Sequence, residues 1–189
     1  MHLATVGPLT ELVASRDFDK VHEEHADFVW RSLQRLGVRP SDLEDALQEV
    51  FIVVHRRLHT FDGSARLSTW LFGICLRVAA AERRRAYVRR EQPTPELEEQ
   101  PDSRPGVDPE RAALRREAER RLALALDRLG LERRAVFVMF EIEGMSAGAI
   151  AEMLGVPVGT VYSRLATARA EFSRAVARLA RDGERARKR

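Results

Sequence analysis

Residues 145–169, MSAGAIAEMLGVPVGTVYSRLATAR, hold two short helical patterns with only Gly155-Val156-Pro157 between them. The second pattern carries Thr160, Tyr162, Ser163, Arg164, Thr167 and Arg169. Hydroxyls and planar guanidinium forks of this kind suit hydrogen bonds to phosphates and base edges rather than bond-making chemistry. The spacing supports a helix-turn-helix: Ala151 is small where two helices must cross, and Gly155 follows four residues later, where a tight turn requires a positive φ. Ile150, Leu154, Val156, Val161 and Leu165 are the expected core of the motif. A helix of this type enters the DNA major groove by its N-terminal half. The amide groups of Val158, Gly159 and Thr160 can meet a phosphate there. The bland alternative is a helical hairpin whose polar residues are simply solvated.

Other chemistry finds little support. Phosphate-binding glycine loops are absent, and the histidines of His22-Glu23-Glu24-His25 stand too close for a zinc-protease motif. His55 and His59 lie one helical turn apart, but neither a cysteine cluster nor a third ligand accompanies them, so we expect no metal. Cys75, the single cysteine, sits between Ile74 and Leu76 and reads as a small buried apolar residue in a reducing compartment. The reading is of a non-enzyme without a cofactor or small-molecule ligand.

The elements that must position these residues are helical. The 189 residues suffice for one or two small domains, with 44% apolar residues for their cores and a net charge of only +3. Of the 32 basic residues only Lys20 and Lys188 are lysine. No stretch reaches the roughly 20 apolar residues of a membrane span, and the opening MHLATVGPLTELVASRD lacks a basic start and apolar run, so neither membrane insertion nor a signal peptide is expected. One helix is predicted over Asp17–Leu36, with Val21, His25, Phe28, Val29, Leu33 and Leu36 on one face and Gly37 as its stop. Ser41 and Glu44 have capping-box spacing for a second helix, buried through Leu43, Ala46, Leu47, Val50, Val54 and Leu58. A loop over residues 60–69 leads to a third helix from near Ser68, ending in arginines. Residues 92–108 are rich in proline and acid and read as an extended linker. Asp108-Pro109-Glu110 opens a further helix to about Leu129. Residues 132–144 read as helix, although Val136–Phe140 has the look of a buried strand, and a basic tail from Arg174 is expected to fray. The fold class is therefore all-α, two small helical domains joined by an acidic linker. The boundaries are a leader at 1–16, a first domain at 17–91, the linker at 92–108, a second domain at 109–180 and a tail at 181–189.

The first domain also carries a motif. The stretch DLEDALQEVFIVVHRRLHTFDGSARLSTWLFGI, residues 42–74, resembles region 2 of an extracytoplasmic-function sigma factor, through Asp45, Gln48, Glu49, Val50, Phe51, Phe61, Thr69, Trp70 and Leu71. VPVGTVYSRL, residues 156–165, resembles the region 4 recognition helix of the same family. The resemblance implies that Asp45, Gln48, Glu49 and Ile52 dock on core RNA polymerase. The acidic patch fits a basic partner surface, or is an ordinary solvated face. It implies that the segment after Phe61 opens the minus-ten promoter element, with Arg66, Ser68, Thr69 and Arg77 contacting captured DNA and Arg83 and Arg84 following the phosphates. Trp70 either stacks on a base or fills the core. Region 4 would read the minus-thirty-five duplex through Arg134, Val158, Gly159, Thr160, Tyr162, Ser163, Arg164, Thr167 and Arg169. Relatives usually have asparagine at the position of Arg77, aspartate at that of Ala81, and basic residues at those of Tyr162 and Thr167, so the promoter preference is not carried over. Ala149 stands where an acid is common, which removes the capping-box partner of Ser146.

The partners implied are core RNA polymerase, promoter DNA and an anti-sigma factor, in the cytoplasm. Two other classes compete. An autonomous helix-turn-helix repressor leaves the acidic helix and the Trp70 loop without a role, and a protein-binding helical adaptor leaves the spacing of residues 151–165 unexplained.

Overall fold

A computed structural model describes residues 8–63, 65–89 and 109–187, and every regular element among them is helical. They form two compact units, one of α1 up to Gln34 with α2 and α3, the other of α4 to α7 together with residues 35–37.

In the first unit α1 spans Pro8–Leu36, α2 Leu43–Arg57 and α3 Leu67–Arg89. The first helix begins well before the expected Asp17: Pro8 takes the first helical position, where its missing N–H costs nothing, and the helix runs on through residues 8–16. Of the predicted face, Val29, Leu33 and Leu36 are buried, whereas Val21, His25 and Phe28 are only partly covered. Gly37 has φ of 90°, and the Val38 N–H bonds the Leu33 carbonyl at 3.1 Å, closing α1 as a Schellman turn.

The start of α2 differs from expectation. Pro40–Asp42 forms a 3-10 turn, the helix begins at Leu43, and Asp42 rather than Ser41 precedes it. No side chain caps it; Asp42 is bound by Arg39 at 2.9 Å instead. Pro40 fixes its own φ and tightens the chain by one residue, which takes Ser41 out of register with Glu44. Beyond this turn Leu43, Ala46, Val50, Phe51 and Val54 are buried, facing Leu71, Phe72, Ile74, Cys75 and Val78 of α3 in one core. Phe18, His22, Phe51 and His55 make a ring cluster with centroids 4.3–6.3 Å apart, which gives two of the histidines a packing role.

In the second unit α4 spans Pro109–Leu126, α5 Leu131–Phe137, α6 Ala147–Leu154 and α7 Val158–Arg187. Residues 92–108, the expected linker, lie outside the described residues, as does the expected cap Asp108. Arg120 and Arg121 both hydrogen-bond Glu117 on α4 and hold its carboxyl down to about 2. The strand-like run is helical: α5 passes into a π-helical turn, Val138–Ile142, in which the Glu143 N–H bonds the Val138 carbonyl at 3.0 Å. A five-residue repeat is wider than an α turn, and Ala135 through Met139 are all buried. Gly144, with φ of 65°, ends the segment.

The helix-turn-helix is α6 and α7. Ser146 Oγ accepts the Ala149 N–H at 3.2 Å, so half of a capping box survives without its acidic partner. Gly155 is left-handed, φ 63° and ψ 37°. The Val156 N–H bonds the Ala151 carbonyl at 3.0 Å and the Gly155 N–H that of Glu152 at 3.2 Å, a complete Schellman motif. Val161, Leu165 and Ala168 bury one stripe of α7 against α5 and α6. The basic tail from Arg174 is helical as far as Arg187. Alanine, leucine and arginine, all strong helix formers, carry α7 to Arg187. At Gly155 a side chain meets no steric block but must adopt the left-handed backbone. Gly155→Ala is expected to destabilise this unit by about 1–2 kcal/mol, read from its urea midpoint.

Candidate nucleic-acid and polymerase interfaces

Three helix faces hold most of the residues singled out in the sequence. On α2, Asp45 and Gln48 are exposed and Ile52 is 50% exposed, unusual for an isoleucine beside a packed core. With Glu49 they fall within about 100° of arc at 3.6 residues per turn, one continuous face. Glu49 is not a lone acid: its carboxylate accepts from Arg85 of α3 at 3.1 Å, and Arg85 also pairs with Glu82. These two carboxylates, that of Glu49 first, raise the Arg85 pKa above its ordinary value. The open acid on this face is therefore Asp45, with Ile52 as an apolar centre and Gln48 beside it.

On α3 the backbone carbonyl of Arg66 accepts from Thr69 at 2.9 Å and Trp70 at 3.2 Å, starting the helix. Ser68, Thr69 and Trp70 are half-buried there, and Phe61 leans on Trp70 with ring centroids 5.6 Å apart. Trp70 thus belongs to a ring pair at the edge of the core and keeps part of its surface in solvent. Trp70, Arg77 and Arg84 follow one another within about 40° of arc along α3, spanning roughly 21 Å at 1.5 Å per residue, and Arg66 stands just before the helix. Arg66, Arg77 and Arg84 are exposed, and Arg83 lies half-buried on the adjoining flank. A cationic row of that length with a ring near its head has the chemistry of a single-strand track.

On α7 the surface opposite the buried stripe is divided by size. Gly159, Ser163 and Ala166 occupy its outermost line and are all exposed. Val158, Tyr162 and Arg169 form one flank, and Thr160, Arg164 and Thr167 the other. The Thr167 hydroxyl donates to the Ser163 carbonyl at 3.1 Å. Arg164 pairs with Glu132 at 2.7 Å, and Arg169 with Glu141 at 2.6 Å while its guanidinium lies 5.5 Å from the Phe140 ring centre. Arg133 reaches Glu171 at 3.0 Å. Three ion pairs thus fasten α7 to α5 and the π turn. Arg134 departs from the expectation that it faces DNA: it is 1% exposed, with its guanidinium on Asp127 at 2.6 Å. Its place on α5 points it inward, and a guanidinium so buried requires a carboxylate partner. Sequence reasoning missed Glu132 and Glu141, since pairs about 30 residues apart leave no local signal.

Among the described residues no three histidine, cysteine or acidic side chains gather for a metal, and no helix is long and apolar enough to cross a membrane.

Comparison with known proteins meets this geometry at both units. Residues 21–89 match the model of sigma-70 region 2, and residues 119–172 that of sigma-70 region 4. The architecture also resembles that of CnrH in complex with the cytosolic domain of CnrY (TM-score 0.61, 24% identity, 88% of this chain and 96% of that one). The Bartonella quintana sigma factor RpoE, in complex with the anti-sigma factor NepR, gives a TM-score of 0.63 at 18% identity, covering 86% of this chain and 98% of that one. At such identities the likeness concerns the fold. Two sigma-70 regions in order define the class: a two-domain RNA polymerase sigma factor. The subgroup follows from sequence, because the ECF RNA polymerase sigma factor SigM of Mycobacterium tuberculosis is 38% identical over 160 residues, 83% of this chain and 76% of the relative. The chain belongs to the extracytoplasmic-function sigma factors of the sigma-70 family.

Gly159 offers a test of the reading face. It sits in the first turn of α7 without a positive φ, and an added Cβ would touch nothing within 4 Å. The fold itself has no need of glycine there. Gly159→Ala is therefore expected to stabilise the free chain by up to about 0.5–1 kcal/mol in urea unfolding. The same change is expected to lower promoter use severalfold if DNA packs on that line.

Proposed function

We propose that this sigma factor binds core RNA polymerase through Asp45, Gln48, Glu49 and Ile52 and directs transcription initiation by assembly, without catalysis of its own. The observation that carries the polymerase contact is the half-exposed Ile52 at the centre of a polar, acid-bearing face. An apolar centre with a polar rim is the anatomy of a protein interface. The row from Arg66 along α3 to Arg84, with Phe61, Ser68, Thr69 and Trp70 at its head and Arg83 on its flank, engages the opened minus-ten strand. The outer surface of α7, from Val158 to Arg169, reads the minus-thirty-five duplex.

Arg164 and Arg169 have a specific part in this reading. Surface ion pairs of their kind contribute only about 0–1 kcal/mol, so a DNA phosphate can replace Glu132 or Glu141 at little cost. Both arginines then clamp the backbone while other side chains face the bases. Arg134, buried on Asp127, takes no part. The site of action is the cytoplasm. Control falls to a partner protein of the anti-sigma class, as in the RpoE–NepR complex, covering one or more of these faces.

The test is assembly of the purified chain with core polymerase, followed by binding to duplex DNA with and without the enzyme. Asp45→Lys is expected to weaken assembly by at least about tenfold while leaving the fold unchanged by circular dichroism. Arg164→Ala should leave assembly untouched and lower promoter use severalfold. Tight, specific duplex binding by the chain alone, with no affinity for core polymerase, would instead favour an autonomous repressor.

A further inference from the structure

Six large apolar side chains stand well exposed among the described residues, and two of them, Val158 and Tyr162, occupy one flank of α7 within its first two turns. They are 43% and 56% exposed. Four residues apart, they are neighbours on the helix surface and form one apolar strip about 6 Å long. The fold does not use this strip, because Val161, Leu165 and Ala168 bury the other side. Beside it runs the line of Gly159, Ser163 and Ala166, whose small side chains let the helix axis approach a surface closely. The two arginines of its first twelve residues are already committed to carboxylates, Arg164 to Glu132 and Arg169 to Glu141.

An apolar strip at the N-terminal end of a helix in the major groove has one complementary feature on the floor of that groove, the thymine 5-methyl group. We propose that Val158 and Tyr162 are specificity determinants that read thymine methyls in the upstream element. In this arrangement the arginines serve the phosphates and guanine recognition contributes little. The proposal rests on the reading of α7 as the duplex-binding helix and adds which bases it selects. It also separates two roles for Tyr162: the ring packs on the methyl, and the hydroxyl is dispensable.

The experiment uses the full chain assembled with core polymerase on promoter fragments recovered from its own genome by transcription in vitro. Each fragment is prepared twice, with thymine or with uracil throughout the upstream element; uracil pairs identically but lacks the methyl. Transcript yield at limiting holoenzyme is expected to fall about fourfold for each contacted methyl removed. Tyr162→Phe should keep this sensitivity, Tyr162→Ala should reduce it, and the double change Val158→Ala with Tyr162→Ala should use thymine and uracil fragments nearly equally. Equal use of both fragments by the unaltered chain, or an upstream element without thymine on either strand, would overturn the inference and leave the sigma-factor reading intact. Fragments whose transcription does not depend on the chain at all would remove both.

Discussion

The second unit depends on one backbone constraint, the left-handed turn at Gly155. Two hydrogen bonds, from Val156 to Ala151 and from Gly155 to Glu152, close α6 and send the chain into α7 after only three residues. That abrupt turn sets the angle at which α7 leaves α6. The angle decides which stripe of α7 is buried and therefore which face remains outside. Glycine carries this turn because any other residue would place its Cβ against the following carbonyl oxygen in the left-handed region. The exposed surface from Val158 to Arg169 follows from the turn as much as from its own sequence.

Electrostatics then fixes α7 in place at modest energetic cost. Arg164, Arg169 and Arg133 each meet a carboxylate across the packing of α5, α7 and the π turn. In the free chain these pairs neutralise charge on the face expected to meet DNA, and each is weak enough to be exchanged for a phosphate. The same economy appears in the first unit, where Arg85 ties Glu49 to α3 and leaves Asp45 as the open acid of the α2 face. Residue type alone would treat Asp45 and Glu49 as equivalent, but their surroundings separate them.

Local rules made much of this legible in the sequence. The helix-turn-helix was readable because a small residue, a glycine and apolar positions at fixed spacing have few other uses. Gly37, Gly144 and Gly155 all lie in the positive-φ region at helix ends, where the pattern put them. Cys75 is buried as its neighbours indicated. Failures came where two local signals competed or where distance mattered. Ser41 and Glu44 had the letters of a capping box, but Pro40 tightened the chain first. Arg134 looked like one more basic residue near a DNA-reading helix, and only the packed structure turns it onto Asp127. No window of sequence shows that Glu132 and Glu141 approach arginines roughly 30 residues away.

The measurement that bears most directly on the central claim is genome-wide run-off transcription with the purified chain, core polymerase and fragmented DNA from its own genome. The account predicts discrete starts, absent without the chain, that share two upstream elements at fixed spacing. A pattern of starts unchanged by adding the chain would contradict it.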